Sequence, residues 1–203
     1  MKPEEIEALS FKIIDKEAPP HHFSFAQWSI VRRMIHTSAD FEYVKSVRFH
    51  KHAIAKGLEA IKNGENIITD TSMARVGIRK SDLERFGTEV KCFMADSEVG
   101  RIASKTGTTK AKAAVDAAIP DMKNAIYVIG NAPTALLRLI ELVKEKKAKP
   151  ALIIGLPVGF VNAAESKAKL IAMDQPYISN IGRKGGSGIA ASVVNALAKL
   201  ARK

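Results

Sequence analysis

Apolar residues recur along the chain with two different periods, and each period predicts a different kind of element. Residues 4–17 carry isoleucines and a leucine at helical spacing, and residues 25–35 repeat this pattern, which predicts two amphipathic helices divided by Pro19 and Pro20. Nearly continuous apolar runs, such as that of residues 127–129, are typical of strands buried on both faces. The predicted strands are 66–69, 89–94, 125–129, 151–155 and 177–181, and the further predicted helices are 50–63, 110–119, 133–147, 163–173 and 187–201.

The order of these elements predicts the fold class. Strands that alternate with helices at this spacing are typical of a parallel sheet covered by helices on both faces. We therefore expect an α/β fold with three layers (α/β/α), in which a Rossmann-like, mostly parallel sheet of about five strands follows an N-terminal helical segment. Because 203 residues are the length of one ordinary domain, we expect a single domain over residues 1–203, with N-terminal helices in 1–38 and the parallel core in 66–203.

Composition excludes several classes of protein. The hydrophobic fraction of 46% and the charged fraction of 26% are typical of a globular protein, and no apolar run approaches the roughly 20 residues that cross a bilayer. The acidic start of the chain is unlike a signal peptide, so we expect a cytoplasmic protein with no membrane contact. Cys92 is the only cysteine, and the histidines at 21, 22, 50 and 52 suit solvated positions better than a metal cluster, so we predict no metal site.

The charge of the chain points to an anionic partner. Lysine and arginine total 32 against 21 acidic residues, which gives a net charge of +11. Such an excess attracts nucleic acid, an acidic membrane surface or a polyanionic small molecule. Only 6% of the residues are aromatic, and no zinc-finger, RNA-recognition or helix-turn-helix pattern is present, so nucleic acid is disfavoured. An acidic membrane surface and a polyanionic small molecule stay open.

Three loops after the predicted strands carry polar or glycine-rich sequences, and ligands of parallel sheets bind at the carboxyl ends of the strands. Asp70 or Thr71 suits the cap of a following helix, and Asn131 suits a cap before Pro133, at a helix start that would also attract an anion. Residues 182–188 (Gly-Arg-Lys-Gly-Gly-Ser-Gly) resemble a phosphate or carboxylate cradle. This loop lacks the Walker spacing, and no dinucleotide, zinc-hydrolase or serine-hydrolase motif occurs in the chain.

His36 is the leading candidate for acid/base chemistry. It lies near the end of the second predicted helix, three residues after Arg33, so the two side chains share a helix face. Histidine exchanges protons near neutrality, and an arginine beside it can hold an anionic substrate. A histidine at a helix end is also a common structural residue. Arg32 is expected to point away from His36 and to have no such role.

Six ordered segments of the chain resemble the precorrin-8X methylmutase family of cobalamin biosynthesis. The segments are residues 32–41 (RRMIHTSADF), 69–73 (TDTSM), 106–110 (TGTTK), 129–136 (IGNAPTAL), 159–167 (GFVNAAESK) and 182–187 (GRKGGS). The resemblance implies an isomerase that moves a methyl group from C-11 to C-12 of precorrin-8X or cobalt-precorrin-8, giving hydrogenobyrinate or cobyrinate. It also implies that no redox cofactor or methyl donor is consumed, and that the protein is a homodimer.

The resemblance further implies roles for individual residues. His36 matches the proton donor and acceptor of the family, and Arg33 and Ser10 match residues that contact the substrate. Lys110 stands where an arginine followed by serine is expected; lysine keeps the charge but loses the forked guanidinium. Asn162 replaces an expected glycine, where we expect a helix start that asparagine also serves. Two alternatives stay open: a corrinoid-binding carrier without turnover, and a general polyanion- or nucleic-acid-binding protein with steeply salt-dependent affinity.

Overall fold

The computed structural model describes residues 2–203 of the chain, and its centre is a six-stranded sheet. The strand order is β1-β6-β5-β4-β2-β3; β1 is antiparallel to β6, and all other neighbours are parallel. The expected α/β class with a mostly parallel sheet is confirmed. The strands are β1 (Val47–Phe49), β2 (Ile67–Thr69), β3 (Val90–Lys91), β4 (Ile126–Ile129), β5 (Leu152–Gly155) and β6 (Tyr177–Asn180).

Helices cover both faces of the sheet. Helices α2, α4 and α10 belong to one face, and α7, α8 and α9 pack on the other, which completes the three layers. The α-helices within residues 2–203 are α1 (Pro3–Glu17), α2 (Phe25–Ser38), α3 (Tyr43–Ser46), α4 (Ala53–Lys62), α5 (Ser72–Gly77), α6 (Ser97–Thr106), α7 (Lys110–Ala117), α8 (Pro133–Lys144), α9 (Ala163–Ile171) and α10 (Ser187–Ala201). No helix in this range is long and apolar enough to cross a membrane.

The central strands are buried on both faces, as their continuous apolar sequences predict. In β4, Ile126 and Val128 pack into the core beneath α10, whereas Tyr127 and Ile129 pack into the core beneath α8. All four side chains are at most 1% exposed. Since successive strand residues point to opposite faces, only a run of apolar residues serves two helical layers at once.

The structure adds one strand to the five that the sequence predicts. Strand β1 is only three residues long and contains the exposed Arg48, so its sequence has no clear two-residue period. Strand β3 is also shorter than predicted, because residues 93–95 turn into a 3₁₀ helix. Helix α6 was not predicted, although its buried residues Val99 and Ala103 stand four apart on one helix face, which is a helical signal.

The N-terminal helices place the candidate histidine beside the sheet. Ser24 and Gln27 form a capping box that starts α2, and Ala39 ends it in a left-handed conformation. Helix α2 packs along α10, and a Cβ on Gly188 would lie 3.9 Å from the Cγ2 atom of Thr37. His36 therefore lies next to the start of α10, where the chain leaves strand β6.

Candidate active site

His36 lies in the last turn of α2, and its side chain is exposed at an open cleft. The cleft has a volume of about 300 Å³ and is lined by Pro3, Ile6, Glu7, His36 and Arg79. The ring of Phe11 meets the imidazole edge-on, with 5.3 Å between the ring centroids. The imidazole is thus packed on one side and accessible on the other, as an acid/base group requires.

Arg33 is buried one turn before His36 and is already paired. The residue is 6% exposed. Its guanidinium donates to Glu7 Oε1 at 2.5 Å. Lys199, from α10, donates to the same carboxylate at 3.0 Å. Partial burial alone would raise the pKa of Glu7, but the hydrogen bonds and charges of Lys199 and Arg33 outweigh this effect and lower the pKa to about 2. Glu7 is therefore ionised between two cations.

Ser10 and Arg32 lie around the same α1–α2 contact. The Ser10 hydroxyl donates to the Ile6 carbonyl at 2.8 Å within α1, so its hydrogen is in use while its oxygen remains an acceptor. Arg32 stands four residues before His36, a spacing that also places side chains on one helix face. The Arg32 guanidinium lies 4.4 Å from the Phe11 ring centroid and is held by Asp15 at 2.7 Å.

The loop after β2 is joined to the start of α8 by a buried carboxylate. Asp70 is 3% exposed and accepts the backbone N–H groups of Gly130, Asn131 and Ala132 at 2.8 to 2.9 Å. Burial raises the pKa of Asp70 above its usual value, against the opposing effect of these donors. The expectation that this helix start would attract an external anion is therefore wrong for these three N–H groups, since Asp70 occupies them.

The predicted helix caps are partly right. Thr71 caps α5 by accepting the Ala74 N–H at 3.1 Å, as expected. Pro133 begins α8, but the cap residue is Ala132 rather than Asn131, because the N–H groups before the helix are held by Asp70. Asn162 precedes α9 and forms no side-chain cap bond. Its φ of 60° is the left-handed backbone conformation that glycine adopts most easily.

The glycine-rich segment 182–186 bonds closely with the loop after β5. The Gly186 N–H donates to the Leu156 carbonyl at 2.9 Å, and a Cβ on Gly185 would lie 2.2 Å from that same oxygen. Ser187 then starts α10 with its hydroxyl 2.8 Å from that of Thr71. Of the two cations in this segment, Lys184 is held by Asp40 and Glu42 at 2.6 and 2.7 Å, whereas Arg183 lies over the Phe160 ring.

Lys110 is not among the residues that line the histidine cleft. It is the exposed first residue of α7, after Thr109, whose hydroxyl donates to that of Thr134 in α8 at 3.5 Å. The structure thus places Lys110 by the start of α8. None of the contacts found within residues 2–203 joins it to His36, Arg33 or Ser10.

Glu7, Phe11 and Arg79 line or contact the candidate site, and sequence analysis did not identify them. Glu7, Ser10 and Phe11 share a helical face, so the periodicity of α1 contained a usable signal for two of them. Arg79 follows α5, with its backbone N–H donating to Asn195 of α10 at 2.9 Å. No local sequence pattern predicts that contact, because it joins residues that are distant along the chain.

Together, the fold and this cleft define an α/β protein that presents an accessible histidine beside buried and exposed cations. A family model described as precorrin-8X methylmutase matches residues 5–200. The chain belongs to the precorrin-8X methylmutase family, and it is an enzyme, an isomerase of cobalamin biosynthesis.

Individual relatives agree over nearly the full length of the chain. A cobalt-precorrin-8 methylmutase from Priestia megaterium is 47% identical, covering 99% of this chain and 89% of that protein. One from Salmonella typhimurium is 43% identical, covering 97% and 94%. The crystal structure of precorrin-8X methyl mutase from Thermus thermophilus superposes with a TM-score of 0.91 at 44% identity, covering 98% of this chain and 96% of that one.

Proposed function

We propose that this protein moves a methyl group from C-11 to C-12 of precorrin-8X or cobalt-precorrin-8, with His36 as the group that gives and takes the proton. The observation that carries this proposal is the accessible imidazole of His36 at a cleft, one helical turn after Arg33, which bonds to Glu7 of the cleft lining. The products are hydrogenobyrinate or cobyrinate. The reaction is an isomerisation, so the proton that His36 gives is returned and no co-reactant is needed.

Protonation explains how a single histidine promotes the migration. A proton placed on a ring nitrogen or carbon makes the conjugated macrocycle electron-poor, which lowers the barrier for the methyl group to move to the neighbouring carbon. His36 then takes the proton back. Phe11 supports the imidazole from one side, which limits the orientations that the ring can adopt.

Arg33 and Ser10 are the proposed substrate contacts. Arg33 uses one of its five N–H donors on Glu7, and we propose that another holds a peripheral carboxylate of the corrin. The Ser10 hydroxyl reaches a substrate oxygen by turning from the Ile6 carbonyl. Lys110 is the proposed residue for a further carboxylate contact, since it is exposed.

The test of this function is the variant His36→Ala assayed with both the metal-free and the cobalt-containing precursor. Turnover should fall by about 10²- to 10⁴-fold, the range typical of a lost acid/base group, while the affinity for the product should change less than about threefold. Near-normal turnover would contradict the role of His36. An assay of the wild-type protein with both precursors shows which of them is the substrate. The site residues do not decide this, because cobalt carried by the substrate needs no protein ligand.

A stoichiometric carrier would behave differently in the same assay. A carrier saturates at one corrinoid per site without changing its chromophore, whereas an isomerase converts many equivalents. Following the absorption spectrum with substrate in excess separates these outcomes. Membership of the methylmutase family favours turnover.

We further propose a cytoplasmic homodimer in which residues 1–203 act as one domain. The family resemblance supports the dimer, and so do the exposed apolar side chains on the loops after β5 and β6. Phe160 is 84% exposed and Val161 is 77% exposed, and Ile181 lies on the adjoining loop. Large apolar side chains grouped in this way are typical of surfaces that bind another protein.

A further inference from the structure

Lys167 is a buried cation that the proposed reaction does not use. It lies in α9, and its side chain is fully buried. Its Nζ donates to the Lys184 carbonyl at 2.6 Å and to Asn180 Oδ1 at 3.1 Å, and both acceptors are neutral. Among the described residues, no carboxylate forms an ion pair with Lys167, and burial lowers its pKa to about 8. A cation held in this way is costly, so its retention needs an explanation.

The acceptors of Lys167 belong to the segment that borders the histidine. Asn180 is the last residue of β6, and its amide also donates to the Lys184 carbonyl at 3.0 Å. Two buried donors therefore converge on one peptide group of the 182–186 segment. From there the chain runs through Gly186 into α10, whose second residue, Gly188, faces Thr37 beside His36.

The same segment is also fixed to the loop after β5. The Gly159 N–H donates to the Arg183 carbonyl at 3.2 Å, and Gly186 is bonded to Leu156. Lys167 lies about one turn into α9, the helix that follows that loop, so it connects the two loops that follow adjacent parallel strands. Ligands of a parallel sheet bind at these strand ends.

We propose that Lys167 is a positioning residue for substrate binding, which fixes the 182–186 segment through the Lys184 carbonyl and supplies a positive charge that the substrate carboxylates neutralise. The proposal rests on the proposed function for the polycarboxylate nature of the substrate. The exposed Lys184 ammonium does not fill this role, because Asp40 and Glu42 already neutralise it. Within this part of the described structure, Lys167 is the buried cation without an acidic partner, and the exposed Arg183, which lies over the Phe160 ring, also has no ion pair.

The variant Lys167→Met tests the proposal, with Lys169→Met as the matched control. Methionine keeps most of the side-chain volume and removes the charge and its donors, and Lys169 is an exposed lysine on the same helix. We expect KM to rise at least about tenfold in Lys167→Met with kcat within about threefold, and both constants to be unchanged in the control. An unchanged KM, or a loss confined to kcat, would overturn the proposal.

A second variant, Asn180→Asp, tests the proposed role of Lys167 if Lys167→Met does not fold. Asn180→Asp leaves Lys167 in place and puts a carboxylate where Asn180 Oδ1 now accepts its hydrogen bond. We expect KM to rise because the cation is then neutralised within the protein; a KM equal to that of the wild type would overturn the proposal. The result is distinct from failure of the function itself, since loss of His36 chemistry lowers kcat and leaves product binding intact.

Discussion

The carboxylate of Glu7 shows how one side chain holds a helix to the site. It lies between Arg33 of α2 and Lys199 of α10, so it fixes α1 across both helices. Arg33 is buried, and without Glu7 its charge would have no acidic partner in the described structure. Removal of one member of a buried pair costs more than the pair itself contributes, because the remaining charge stays desolvated.

Glu7→Gln should make the protein less sensitive to acid. The pKa of Glu7 is lowered from 4.5 to about 2, so its contribution to the free energy of unfolding is complete above pH 4.5 and is lost as the pH falls towards 2. That contribution is at most about 3 kcal/mol, and solvent screening of the partly exposed side chain reduces it. Urea unfolding at pH 7, 5, 4, 3 and 2 measures it.

The wild type should lose stability relative to Glu7→Gln between pH 4.5 and 2, while Glu7→Gln should be the less stable protein at pH 7. Parallel stability curves over this pH range would show that Glu7 has no such role. The matched control is Glu98→Gln, whose carboxylate is exposed and pairs only with the exposed Arg101 on its own helix.

Site residues with local signals could be predicted from the sequence. Site residues whose partners are distant along the chain could not. The three-residue spacing of Arg33 and His36 is visible in the sequence, and the structure places both side chains near Phe11. The Glu7–Lys199 pair joins opposite ends of the chain, and the Lys167 contacts depend on how β6 and α9 pack. Periodicity carries no information on such pairs, because they follow from tertiary packing.

At the scale of elements, Asp70 joins two segments that follow neighbouring strands. Strands β2 and β4 are paired, and the Asp70 carboxylate binds the backbone N–H groups that lead into α8. Sequence reasoning assigned the carboxylate to a local cap and the helix start to an external anion. One contact within the protein accounts for both features, and a residue-by-residue interpretation does not reveal it.

Asp70→Asn should destabilise the protein strongly. The amide presents an NH₂ group to backbone donors that need an acceptor, and a buried group left without its partner costs about 1 to 3 kcal/mol. We expect a loss of about 3 kcal/mol in urea unfolding at pH 7. Asp116→Asn, which removes a partly exposed partner of Arg138, should lose less than about 1 kcal/mol. Equal losses in the two variants would contradict this account.

At the scale of the whole molecule, charge and apolar surface have different distributions. The net charge of +11 suits a polycarboxylate substrate, and long-range attraction of this kind raises the rate of encounter. Exposed apolar side chains near the carboxyl end of the sheet lie on the loops after β5 and β6 and on α5 after β2. A dimer through these loops would bring two substrate clefts towards one contact surface.

Phe160→Asp should weaken the proposed dimer. A charge placed in an apolar contact is desolvated without a partner, so association should become at least about tenfold weaker. Light scattering over a concentration series should give twice the chain mass of 22.0 kDa for the wild type and a lower value for the variant. Phe25→Asp, at an exposed phenylalanine that starts α2, is the control and should leave the mass unchanged. A monomeric wild type would contradict the dimer.

The contact between Thr37 and Gly188 also bears on how the protein is made. Helix α2 leaves the ribosome early, but the α10 helix that it packs against is synthesised about 150 residues later, and β1 likewise waits for β6. Until then the side of α2 that packs on α10 is uncovered, so nascent chains should need protection from aggregation. The cleft at His36 is consequently among the last features to form, and a newly made chain acquires its activity only when nearly all of its fold is complete.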